Sequence, residues 1–253
     1  MSYLTNPYRY ALAGYPDSIL TDGDGTVNGA TIVAGAKLGS YCVNFDGSWD
    51  PDIGDTIVIP DNSALDGASG LSVSTWINTD NWTNRRVIAK GSNSGWELLS
   101  EDVTNTARWR VKGANDVLYT VEGTTALVDG TWYHLVGRYA PDEGAGAEGL
   151  LTLYVDGVEE ASYDHFSASG IKINTADVYL GATSNATQHF DGRLDDIGIF
   201  NYPISQTTID DLYNSGTGAT ISSLSDYTGI VAYYSCEEFT GGGTTLPNDA
   251  TPA

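Results

Sequence analysis

The sequence predicts an all-β protein, a two-sheet antiparallel sandwich with one short helix near residues 205–214. Three observations carry this prediction. Short runs rich in Val, Ile, Thr and aromatic residues recur along the 253 residues and are separated by Gly, Asn and Asp. Asp156-Gly157, set between Val155 and Val158, is a tight hairpin signal, because a two-residue turn needs positive φ and Gly supplies it without strain. One segment, beginning at Ser205, has convincing helical periodicity.

Residues 1–35 read as an N-terminal arm. Tyr3, Tyr8, Tyr10 and Tyr15 lie among Pro7, Gly14 and Pro16, and four tyrosines need a surface to pack against. In TDGDGTVNG, Asp22 and Asp24 have the opening spacing of a calcium loop. Val27 and Val33 stand where such a loop needs Gly and Glu, so this stretch reads as an Asp/Gly turn. The sandwich is expected over residues 36–253. GSYCVNFDG places Tyr41, Val43 and Phe45 on one face, and DTIVIPD is a short strand ended by Pro60. GLSVSTWINT puts Leu71, Val73 and Thr75 on one face and Ser72, Ser74 and Trp76 on the other. RRVIAKG, GWELLSE, ARWRVKG and LYTVEG are further strands. Thr131 to Tyr139 nearly alternates, which predicts one wet face. Leu150 to Val155 is apolar on both faces except at Thr152, which predicts a central strand. DVYLGA and FDGRLDDIGIFN follow. In the helix, Ser205 caps, Ile209, Leu212 and Tyr213 form one stripe, and Gly216 ends it. Trp76, Trp96, Trp109 and Trp132 sit in regular strands and are assigned to the core.

Eleven basic against 33 acidic residues give a net charge of −22. Such a surface repels phosphate backbones and anionic bilayers, which argues against a nucleic-acid partner and against membrane insertion. No basic stretch leads into an apolar one at the start, and no apolar run approaches the ~20 residues that cross a bilayer. A protein made soluble inside a cell is the expectation. Cys42 and Cys236 form no CxxC motif; they read as two small core residues or as a disulfide tying the ends together.

Several segments in order resemble the laminin-G-like, concanavalin A-like jelly-roll modules. These are Phe45-Asp46-Gly47, IVIPDNSALDGASGLSVSTWI, the strand opening at Gly95-Trp96, DGTWYHLVGRY, LYVDG, YLGA and FDGRLDDIGIFNYPIS, covering about residues 31–216. The resemblance implies two curved sheets, a sugar- or protein-binding role, and often a structural calcium ion. It does not imply catalysis. The family's opening apolar strand and acidic turn are missing at the N-terminus but are matched near the end, by Gly229 to Glu238 and by Leu246 to Ala250. Residues 229–250 are therefore expected to return as the missing first strand. This occurs within the subunit, or in a neighbour as a strand exchange that builds a homo-oligomer; alternatively the segment starts a second module.

The chemistry is sparse. Glycanases need two nearby carboxylates, and no E-x-D-x-E strand is present. Glu159-Glu160, Asp195-Asp196 and Glu237-Glu238 are adjacent pairs, whose side chains point to opposite faces of a regular strand. His134, His165 and His189 are isolated, and His134 reads as a packed strand histidine. A non-enzyme is expected. Asp195 shares a face with Ile197 and Ile199, so it should point inward, where a carboxylate needs hydrogen bonds or a cation. Calcium is one answer, with Asp195, Glu237, Glu238, Asn248 and Asp249 as the ligands the resemblance implies; backbone amides are the other. For a glycan or protein surface, the loop tryptophans Trp49 and Trp82 are the candidates, with Arg85 and Arg86 beside Trp82. Three functions stay open: a virion surface component (capsid decoration or tail-fibre adhesin), a free-standing extracellular lectin, and a polysaccharide-cleaving glycosidase or lyase.

Overall fold

The structure is a computed structural model that describes residues 23–48, 54–82, 85–101, 104–145, 148–167, 169–184, 187–225, 229–239 and 243–250. The tyrosine arm and Trp49 lie outside these residues. Two antiparallel sheets pack face to face. The first has the order β16-β1-β4-β13-β6-β7-β8-β9. Its strands are Thr245–Leu246, Gly25–Asn28, Thr56–Ile59, Val178–Leu180, Arg86–Lys90, Trp96–Ser100, Ala107–Lys112 and Leu118–Glu122 in that order. The second runs β12-β11-β10-β5-β14-β3-β2, with β15 also on β14. These are Val158–Tyr163, Leu150–Val155, Tyr133–Ala140, Leu71–Asn78, Asp191–Phe200, Tyr41–Asp46 and Thr31–Ala34, and β15 is Ile230–Tyr234. Among the described residues the first strand starts at Gly25, inside the segment expected to be an arm: Val27 and Val33 are strand residues of β1 and β2.

The inner faces hold Phe45, Ile57, Val73, Trp96, Trp109, Leu135, Leu153 and Leu194 in one buried cluster. The hairpin between β11 and β12 forms as expected, with Asp156 at φ 51° and Gly157 at φ 80°. The two-sided apolar strand β11 lies second from the sheet edge, not at the centre. Its outer face is covered all the same. Helix α1 (Gln206–Tyr213) lies over the outside of the second sheet, where Ile209 and Leu212 join Val136, Tyr154, Phe200, Ile204, Ile221 and Tyr233 in a second buried cluster. This layer is why β10, expected to be wet on one face, is buried at every position. Ser205 caps the helix by accepting from the Thr208 amide, and Asn214 in the left-handed region, rather than Gly216, closes it.

The returning segment pairs within its own chain. β15 runs antiparallel to Ile197–Phe200 of β14, while β3 pairs with the other half of the same edge, Asp191–Leu194. β16 pairs with β1. Between the two halves β14 bulges. Its register against β5 shifts after Asp195, and Asp196 has φ 48°. Cys42 and Cys236 are both buried and free, so no disulfide ties the ends. Among the described residues, no helix is long and apolar enough to cross a membrane.

Candidate functional site

The strand ends of the second sheet build a polar cleft of about 520 Å³ on its outer surface. The sequence contains Phe-Asp-Gly twice, at 45–47 and at 190–192, and the fold brings the copies together. Asp46 of β3 stands opposite Asp191 of β14, and Phe45 opposite Gly192. Inside, the Phe45 and Phe190 rings meet edge to face at 6.0 Å. Outside, the two aspartates line the cleft. Gly47 is required by this crossing: its φ is 65°, and a Cβ there would lie 2.5 Å from that of Asp191.

One step along the strands, Asn44, Arg193 and Asn78 form a row in register across β3, β14 and β5. Trp132 extends it, because it precedes Tyr133, which pairs with Ile77. Asp80 and Gly130 complete the lining with Thr79. Thr79 fixes the wall, since its hydroxyl donates to the Asp191 carbonyl and accepts from the Asn81 amide at 2.9 Å. Hydrogen bonds from the Ser48 side chain and from the Ser48 amide, the latter at 2.8 Å, hold the Asp46 carboxyl below the usual range. Among the described residues, no hydrogen bond or ion pair engages the side chains of Asn44, Asn78, Asp80 or Arg193. Trp132 is half-buried, which corrects its assignment to the core: its face is the outer one, beyond the reach of the helix layer. The cleft thus offers an aromatic ring beside unengaged amide, carboxylate and guanidinium groups.

The expected binding residues lie elsewhere. Trp82 is 3% exposed and packs edge-on against Tyr133 at 6.3 Å, so it is a core residue and presents no ring to a ligand. Arg86 is buried and ion-paired with Glu97 at 3.3 Å, and Arg85 donates to the His189 carbonyl at 2.9 Å. Neither arginine is among the residues that line the cleft. Trp49 lies outside the described residues.

Four of the five candidate calcium ligands meet backbone amides. Asp195 stands opposite Trp76, whose ring stacks on Tyr213 of the helix, so the bulge turns Asp195 to the outer layer and not into the inner core. Its Oδ2 accepts from the Lys37 and Leu38 amides at 2.9 and 2.8 Å. Asp196 points to the same layer, accepting from the Tyr233 hydroxyl at 2.8 Å and the Ile221 amide at 3.1 Å. The adjacent pair is therefore not split between faces, as a regular strand would split it. Burial raises Asp195 to about 6 and Asp196 to about 7. Glu237 accepts from the Ser40 amide at 3.0 Å, Asp249 from the Ser235 amide at 3.0 Å, and Asn248 from the Tyr233 amide at 2.9 Å. Glu238 is exposed. Among the described residues, no three His, Cys, Asp or Glu gather as a metal site. His134 packs on Trp76 at 5.2 Å and shares a 2.9 Å hydrogen bond with Ser74, and burial lowers it to about 3, so it is a neutral structural residue.

Residues 51–210 match the family model described as the concanavalin A-like lectin/glucanases superfamily, of laminin-G type. The chain belongs to this superfamily. No curated protein matches it in sequence. Among solved structures, this superfamily member is similar to the binding domain of Paraclostridial Mosquitocidal Protein 1, with a TM-score of 0.59, 17% identity, and 76% of this chain on 47% of that one. It is similar to the botulinum neurotoxin serotype D ligand-binding domain in complex with N-acetylneuraminic acid, with a TM-score of 0.57, 17% identity, and 75% of this chain on 46% of that one. A heptameric pentraxin from Limulus polyphemus follows at a TM-score of 0.51 and 11% identity, with 67% of this chain on 80% of that one. At these identities the likeness is one of fold, and the chain spans less than half of each toxin domain.

Proposed function

We propose that this concanavalin A-like chain is a non-catalytic binding module whose ligand is a glycan seated in the Trp132 cleft. The observation that carries the reading is the half-exposed Trp132 ring beside Asn44, Asn78 and Arg193, whose polar groups have no partner among the described residues. An apolar ring face suits a sugar ring, and the flanking donors and acceptors suit its hydroxyls. The neurotoxin domain in complex with N-acetylneuraminic acid is a binding domain of like fold, which supports a binding role. A glycan array followed by calorimetry on the hits tests the reading. Binding that Trp132→Ala abolishes is expected, and release of reducing ends from the bound glycan would replace the reading with a hydrolase. The setting we propose is a virion surface, as capsid decoration or tail-fibre component. Capsid or tail genes beside the coding gene are expected, and a cluster of polysaccharide-degrading genes would contradict that setting.

A further inference from the structure

We infer that the Trp132 cleft selects neutral glycans and rejects anionic ones, with Asp46, Asp80 and Asp191 as the discriminating residues. This rests on the glycan reading of the cleft. Three carboxylates and a single guanidinium, Arg193, line it, a formal balance of −2. Asp46 and Asp191 are cross-strand neighbours, in a register where like charges repel. The geometry explains why they stay: Asp46 accepts from the Ser48 amide, and Asp191 accepts from the Asn81 side chain at 3.4 Å. Asp80 is exposed on the loop beyond β5, where nothing in the sheet requires a carboxylate. A hydroxyl donates to such oxygens, whereas a sialic acid, uronate or sulfate brings a second anion against them. Arg193 stands between Asn44 and Asn78 and serves as a hydrogen-bond donor to hydroxyls in that row.

Calorimetry with pairs of oligosaccharides that differ by a terminal sialic acid tests this, at low and at high salt. The neutral member should bind about tenfold tighter at low salt, with the gap shrinking as salt screens the carboxylates. Asp80→Asn with Asp191→Asn should narrow the gap. Asp80→Asn alone, which removes no bond among the described residues, should narrow it in part and keeps the test decisive if the double variant fails to fold. Equal or tighter binding of the sialylated member, or a gap unchanged by Asp80→Asn, would overturn the selectivity while leaving the glycan reading in place. Silence across neutral and anionic glycans alike would refute the glycan reading, and this inference with it.

Discussion

Replacing Asp196 with Asn should flatten the pH dependence of stability. The bulge in β14 sinks Asp195 and Asp196 beneath the outer layer, 0% and 3% exposed, and burial lifts them from 3.8 to about 6 and about 7. The sign follows from proton linkage. Between the unfolded and folded values, the folded chain holds protons that the unfolded chain has released, so stability falls as pH rises through that window. The stabilisation is fully present below the unfolded value and is gone above the folded one. From about pH 5 to 8 the loss is roughly 3 kcal/mol for Asp196 and 1 kcal/mol for Asp195. Asp46, Glu122, Glu143 and Glu160 are shifted the other way and lose their contribution only in more acidic solution. Within the window His134, lowered by burial, opposes the pair, and Asp55 and Asp156, raised by burial, act with it, so the difference between wild type and variant, not the wild-type slope, isolates Asp196. Urea unfolding at a series of pH values reads the effect. The wild-type midpoint should fall towards alkaline pH relative to that of Asp196→Asn. An amide oxygen can still accept from Tyr233 and Ile221. Wild-type stability that rises relative to the variant's over this window, or an unchanged slope in the variant, would refute the reasoning.

The two thiols should be silent to a thiol reagent in the native state and both titrate in denaturant, because each is buried and free and burial raises both above their usual range. One disulfide found by mass spectrometry would contradict this. Gly47→Ala should lower stability by about 1–3 kcal/mol and weaken ligand binding as well, since it strains a left-handed residue and presses on Asp191. Denaturant unfolding and calorimetry check the two effects separately.

Periodicity reached the sandwich, the Asp156-Gly157 hairpin and the Ser205-capped helix because each is set by local chemistry: positive φ at a tight turn, an oxygen facing free amides, an apolar stripe. What it missed depends on non-local partners. The wet face expected of β10 is dry because the helix, 66 or more residues later in the chain, lies on it. The inward parity of Asp195 fails because one extra residue at Asp196 inverts the count, and nothing in DDIGIF announces a bulge. Trp132 and Trp82 exchange roles for a similar reason. The strand tryptophan lies beyond the helix layer, while the loop tryptophan folds onto Tyr133. The cleft did leave one trace in the sequence, the repeated Phe-Asp-Gly, whose alternation places a phenylalanine inside and an aspartate outside at two strand ends that must meet.

The most direct test of the central claim is calorimetry of wild-type protein and Trp132→Ala with the best array glycan. Wild-type binding reduced at least about tenfold in the variant, with an unchanged unfolding midpoint, is the predicted result. Undiminished glycan binding by a folded Trp132→Ala variant would place the ligand elsewhere and contradict the account.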